Sequence, residues 1–177
     1  MKGTMIAITG IRSGTSMTMQ TLKLLGVSIT GVKYPKVYPQ EFNKKGYWDL
    51  EFGEYLDGVP DKRFCGTAIK LVLGQLLKSK HISKLIICQR NKDDCVKSIR
   101  KLQQGIQDAT GLPTTAYSAE YVYNSVFSCA ESCAEHLNTF RLNFEEMLIE
   151  PYLQIQKLAD FLNLKNPNIS NAVKNIN

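Results

Sequence analysis

The segment Gly10-Ile-Arg-Ser-Gly-Thr-Ser16 gathers two glycines, three hydroxyl residues and one arginine within seven positions. A glycine-turned loop that opens into a helix aims backbone N–H groups at one point, and the helix dipole adds positive potential there. The chemistry this suits is anion binding, phosphate above all. The flanks agree: the apolar run Met5 to Ile8 reads as a strand, and Met17 to Leu25 reads as a helix that stops at Gly26. The nucleotide loop G-x-x-x-x-G-K-[ST] carries a lysine for the β- and γ-phosphates directly after its second glycine. Here Thr15 holds that position, and the cation, Arg12, lies two residues before Gly14. The loop suits an anion and is poorly built for ATP with Mg²⁺.

The elements that position this loop alternate. Strands are expected over about 4–9, 67–73, 84–89 and 139–144, and helices over 16–25, 50–57, 91–104, 115–137 and 151–162, with a short helix reaching residue 80. Residues 30–48, with Gly31, Pro35, Pro39 and Gly46, read as a long irregular loop, and 105–113 as a second loop. Asn91 is placed to cap its helix, with Asp93 and Asp94 in the first turn where the dipole favours acids. Pro151 opens the last helix at a tolerated position, and the polar tail from Asn163 reads as frayed. Alternating strands and helices predict a three-layer α/β/α domain around a parallel sheet. The 177 residues suffice for one such domain, taken to span 1–177.

In open parallel sheets ligands bind beyond the carboxyl ends of the strands. Gly10–Ser16, Lys70 and Arg90 end or follow strands and fall on that edge. His81 and His136 precede strands and fall on the opposite edge, which argues against either as a general base.

Net charge is +6, a balance that favours anionic ligands. The basic residues are scattered, without the Lys/Arg block of a nucleic-acid arm. The apolar opening is short and broken by Thr9, Gly10 and Arg12, so a strand is expected rather than a signal peptide. No run approaches the ~20 apolar residues of a membrane span. The five cysteines are odd in number and lack a disulfide framework. Free thiols in a cytoplasmic protein are the expectation. Cys129, Cys133 and His136 fall on one helix face without a second ligand pair, and no metal is assigned to them.

Four collinear segments resemble the sulfotransferase family of the P-loop fold. Gly10–Ser16 is similar to the family's 5′-phosphosulfate loop, basic-[ST]-G-T-[ST]. Asn43-Lys-Lys-Gly-Tyr-Trp-Asp49 is close to the Asn-x-x-Gly-aromatic-x-Glu segment of bacterial members. Leu85-Ile-Ile-Cys-Gln-Arg90 followed by Ser98 is similar to the family's 3′-phosphate site, a strand ending in Arg with a Ser eight residues later. Phe144-Glu-Glu-Met-Leu148, Pro151 and Leu158-Ala-Asp-Phe-Leu162 resemble the closing Tyr-Glu-x-Leu…Pro…Phe-Leu.

The resemblance implies a P-loop nucleoside-triphosphate-hydrolase-like sulfotransferase fold and the cofactor 3′-phosphoadenosine 5′-phosphosulfate (PAPS). Sulfuryl transfer to a hydroxyl or amine of a small-molecule or glycan acceptor would leave 3′-phosphoadenosine 5′-phosphate (PAP). On it Arg12, Ser13, Gly14, Thr15 and Ser16 would bind the 5′ end, and Arg90 and Ser98 the 3′-phosphate. Arg12, Thr15 and Lys70 would stabilise developing charge, and Asp49, in the place of the family-like Glu, would take the acceptor proton, with Glu51 and Glu54 nearby. Glu145 would hold loops together. Sulfuryl transfer carries less negative charge than phosphoryl transfer, so no metal is expected. Two departures stand out: the chain is short, and it has no match to the C-terminal Arg-Lys-Gly-x-x-Gly segment. Tyr117, Tyr121, Tyr123 and Trp48 are left as candidates to stack on a base or acceptor. A small-molecule kinase with a degenerate loop and a non-catalytic anion-binding module are the competing readings.

Overall fold

The computed structural model describes residues 4–31, 64–71, 81–111, 117–174 and 176. Among the described residues five strands, β1 (Met5–Thr9), β2 (Ile29–Thr30), β3 (Ala68–Lys70), β4 (Ile82–Gln89) and β5 (Asn138–Asn143), form one sheet in the order β2-β3-β1-β4-β5. Every pairing is parallel, with Ile8 opposite both Lys70 and Ile86, and Gln89 opposite Asn143. The helices are α1 (Thr15–Leu24), α2 (Lys92–Thr110), α3 (Ala119–Ala134), α4 (Phe144–Ile149), α5 (Pro151–Leu162) and α6 (Ile169–Val173).

The period-2 alternation of a strand builds the layers. Ile6 and Ile8 of β1, with Ile86 and Cys88 of β4, enter one apolar cluster with Met19 and Leu22 of α1, Ile155 and Leu158 of α5, and Ile169 of α6. Met5 and Ala7, with Leu85 and Ile87, enter the other, under Ala130 and Cys133 of α3. Met5–Ile8 of β1 and Leu85–Cys88 of β4 are therefore continuous apolar runs, as a sheet covered on both faces requires. A smaller cluster of Val96, Ile99 and Ala119, with Ile11 and Tyr123 against it, ties the α2–α3 pair to the glycine loop.

The strands at 4–9, 84–89 and 139–144 and the helices at 16–25 and 151–162 lie within a residue or two of expectation. Other expectations are corrected. The helix expected over 115–137 runs Ala119–Ala134, and of the strand expected over 67–73 the described residues form Ala68–Lys70. The helix from Asn91 does not end at Gln104 but continues to Thr110 and stops at Gly111, whose φ of 68° forms a left-handed C-cap. Gly105 costs a helix interior about 1 kcal/mol, which the rest of a long helix absorbs. The tail after Asn163 is not frayed: Asn168 caps α6 through the Asn171 N–H, and Ile169, Ala172 and Ile176 are buried. Two elements went unanticipated, β2, with only two residues, and α4, a turn and a half directly after β5. Of the loop expected over 30–48, residue 30 belongs to β2 and 32–48 fall outside the described residues, as do the helix expected at 50–57 and the segment 72–80.

Candidate functional site

The strand ends converge at the carboxyl edge of the sheet. β1 delivers the chain into the loop, where Gly10 has φ 127° and Gly14 φ 93°. A side chain at Gly10 would meet Ser13 Oγ at 2.4 Å and the Cys88 carbonyl at 2.6 Å, so only glycine fits between the loop and β4. Arg12 itself adopts φ 53°, a left-handed conformation unusual for a residue with a side chain. Gly14 then caps α1, and its carbonyl accepts from both the backbone N–H and the hydroxyl of Thr18 (2.9 and 3.1 Å). The N-terminus of α1 carries no acidic residue in its first turn and no side-chain cap. Its leading N–H groups and dipole thus face the loop.

Three cations gather around this loop. Arg12 Nε donates to Ser98 Oγ at 2.8 Å. Lys70, at the end of β3 and almost fully buried, donates from Nζ to Ser16 Oγ at 3.1 Å. Arg90, directly after β4, reaches the Arg12 carbonyl with Nη1 at a long 3.5 Å, and its guanidinium lies 4.7 Å from the centre of the Phe144 ring. Glu145 Oε1 accepts from the Asn91 N–H at 3.1 Å, linking α4 to the start of α2.

Among the described residues the buried side-chain atoms without a hydrogen-bond partner are Thr9 Oγ1, Ser13 Oγ and Arg90 Nε. All three stand at this edge. Buried polar atoms are normally satisfied, so unspent ones concentrated at one place mark a ligand position.

The thiols behave as packing groups. Burial pushes Cys88 up to about 12, against the lowering effects of its Thr18 hydrogen bond and of Lys70. Burial likewise pushes Cys95, whose Sγ faces the Arg12 carbonyl at 3.7 Å, up to about 11. Cys129 and Cys133 are raised by burial and hydrogen-bonded to each other. Among the described residues no three His, Cys, Asp or Glu side chains gather as a metal site would require.

No protein-family model matches the chain, and no curated protein matches it by sequence. Solved structures do. A mouse sulfotransferase, SULT7A1, complexed with PAP, superposes with a TM-score of 0.58 at 18% identity, covering 100% of this chain and 64% of that one. Retinol dehydratase with androsterone and the inactive cofactor PAP gives 0.52 at 16% identity, covering 100% and 65%. Retinol dehydratase with retinol and PAP gives 0.53 at 16% identity, covering 99% and 65%. The chain has the sulfotransferase fold. It spans just under two thirds of the length of these structures.

Within the sulfotransferase fold, the structure brings Arg12 to Ser98, Arg90 to Arg12, and Lys70 to Ser16, and buries Ser13 and Thr15 at the loop. Asp49, Glu51, Glu54 and Trp48 lie outside the described residues. His81 and His136 sit at the amino edge: the His81 carbonyl accepts from Met5 N–H at 2.9 Å before β4 begins, and His136 precedes β5. Tyr123 packs against the cluster of Val96, Ile99 and Ala119, with Lys92 over its ring at 5.6 Å. Tyr117 and Tyr121 stack on one another at 4.8 Å and are more than half exposed. Sequence reasoning assigned Phe144 only to a closing motif. Its place as the first residue beyond β5, on the ligand edge, was the available signal that it joins the site.

Proposed function

We propose that the protein is a PAPS-dependent sulfotransferase acting on a hydroxyl or amine of a small-molecule or glycan acceptor. The observation that carries this reading is the gathering of cationic groups and buried unspent atoms at one sheet edge: the loop around Ser13–Ser16 with Lys70 and with Arg12, which is bonded to Ser98, and beside it Arg90, which reaches the Arg12 carbonyl and keeps its buried Nε unspent. A nucleotide charged at its 5′ and 3′ positions needs two such places. The PAP held by the structural neighbours supports the same cofactor, and the androsterone and retinol seated in retinol dehydratase support a small-molecule acceptor.

PAPS would supply an activated sulfuryl group carried on a phosphate. The residues of this chain do the rest. Backbone N–H groups of 13–16 and the α1 dipole hold the 5′ end. Arg12, Thr15 and Lys70 concentrate positive potential where the leaving oxygen gains charge, in a site walled by buried side chains. Arg90 contributes a planar donor fork and Ser98 a hydroxyl for the 3′-phosphate. Asp49 takes the acceptor proton, a role supported by its position in the family-like segment and by both histidines lying at the far edge. No helix among the described residues is long and apolar enough to cross a membrane. The scattered basic charge leaves nucleic acid out of the proposed partners, and a cytoplasmic location remains part of this proposal.

Calorimetric titration with PAP, ADP and ATP–Mg²⁺ tests the cofactor class. PAP is expected to bind about 100-fold more tightly than ADP, the worth of one phosphate held by charge-assisted bonds. Preference for ATP–Mg²⁺, or indifference to the 3′-phosphate, would instead favour a kinase or a general anion-binding module. Asp49→Ala is expected to lower sulfuryl transfer by about 100-fold with PAP affinity unchanged. Undiminished turnover would remove Asp49 from the mechanism.

A further inference from the structure

Arg90 is placed at the ligand edge, yet its polar contacts do not orient it. The bond from Nη1 to the Arg12 carbonyl is 3.5 Å long, and the buried Nε has no partner. What lies against the guanidinium is the Phe144 ring, 4.7 Å away. The same ring touches the glycine loop. A Cβ added at Gly14 would stand 2.6 Å from Phe144 Cδ2 and 3.3 Å from Cε2, so the ring fills the space a side chain there would take.

Phe144 is itself held firmly. It follows Asn143, which pairs in register with Gln89 and caps α4 by accepting from the Glu146 N–H at 3.0 Å. Glu145 accepts from the Asn91 N–H, and Met147, three residues on, is fully buried in the main core. A ring clamped on α4 therefore meets the 5′-side loop through Gly14 and the 3′-side cation through Arg90. Stacking suits this task. A guanidinium binds phosphate through N–H groups in its own plane, and an aromatic ring on its face leaves that edge open. Phe144 has no hydroxyl, so the ring alone makes the contact.

We propose that Phe144 is a positioning residue that sets the separation of the two anion subsites, holding the Arg90 fork at a defined place relative to the Gly14 loop. The inference rests on the PAPS reading above. Its consequence is selectivity: the extra affinity conferred by a ligand's 3′-phosphate depends on the ring.

The test compares PAP with 5′-AMP, which lacks the 3′-phosphate, by calorimetry on the wild type, Phe144→Leu and Phe144→Tyr. Phe144→Leu is expected to weaken PAP about tenfold and 5′-AMP less than threefold, shrinking the ratio of the two affinities, while Phe144→Tyr keeps the ratio. A role confined to folding would move both ligands together, and an unchanged ratio in Phe144→Leu overturns the inference while leaving the cofactor assignment intact. Equal binding of PAP and 5′-AMP by the wild type would remove the cofactor reading and this inference with it. A readout that needs no substitution at 144 stands beside these in case Phe144→Leu does not fold. The Arg90 Nε–H proton resonance, assigned with Arg90→Lys, is expected to be shifted upfield by the ring current, and a random-coil position would also overturn the proposal.

Discussion

The two edges of the sheet treat polar groups in opposite ways. At the amino edge they are spent locally. Lys84 Nζ, half-buried with its ammonium over the Phe161 ring, donates to the Phe161 carbonyl at the end of α5. Ser83 Oγ donates to the Met5 carbonyl at 3.4 Å, Thr139 Oγ1 to the Leu137 carbonyl at 3.0 Å, and the His136 N–H to the Cys133 carbonyl at 3.2 Å. At the carboxyl edge the backbone is bent into left-handed conformations at Gly10, Arg12 and Gly14, two arginines approach one another, and buried atoms go without partners. Folding alone does not favour that second arrangement, since each strained residue and each unspent polar atom opposes it by about 1–3 kcal/mol. The contrast separates scaffold from site without reference to any homologue.

The largest effect that should divide the edges comes from Arg90→Ala. It is expected to weaken PAP by about 100-fold, whereas His136→Ala at the far edge should stay within twofold, both read by calorimetry. Comparable losses from the two would erase the distinction. Next comes alkaline pH. Cys88 and Cys95 flank Arg90 and keep their protons to about 12 and about 11, whereas the unfolded chain releases them near 9. The folded state then holds more protons than the unfolded one above pH 9. Stability, fully present below pH 9, should fall through pH 9–12, by on the order of 2 kcal/mol for each thiol at pH 10.5. Urea unfolding at pH 8 and 10.5 measures this, and Cys88→Ala with Cys95→Ala should flatten the profile. The smallest effect belongs to Lys84→Met, which removes a carbonyl cap from α5. A loss of about 1 kcal/mol in urea unfolding with unchanged PAP affinity would mark the amino edge as scaffold.

Much of this arrangement was legible in the residues because its signals are local. Leu85-Ile-Ile-Cys88 lies between two apolar layers and reads as a buried strand from its own composition, and Gly10 and Gly14 announce the loop. The α2 boundary was misjudged because glycine was given more authority than its modest cost in a long helix warrants. α6 hid because its two buried residues, Ile169 and Ala172, are separated by Ser170 and Asn171 in a short polar stretch, although their spacing of three is helical. At the site, motif placed Arg12 in the loop and paired Arg90 with Ser98, but it did not anticipate the bond from Arg12 to Ser98. The stacking of Phe144 on Arg90 and its approach to Gly14 span more than fifty and more than a hundred residues of sequence, and no short pattern encodes such a meeting.

The burial of Ile169, Ala172 and Ile176 against Met19, Leu22 and Leu25 has a kinetic meaning as well as a packing one. The helix that presents its N-terminus to the glycine loop is made well before residues some 150 positions later, whose emergence completes the cover that β1, β3 and β4 begin. Contacts that distant in sequence are closed late and slowly. The glycine loop is thus translated well before the residues that finish its packing, and during the interval a nascent chain exposes part of the apolar side of α1, the kind of surface that chaperones recognise.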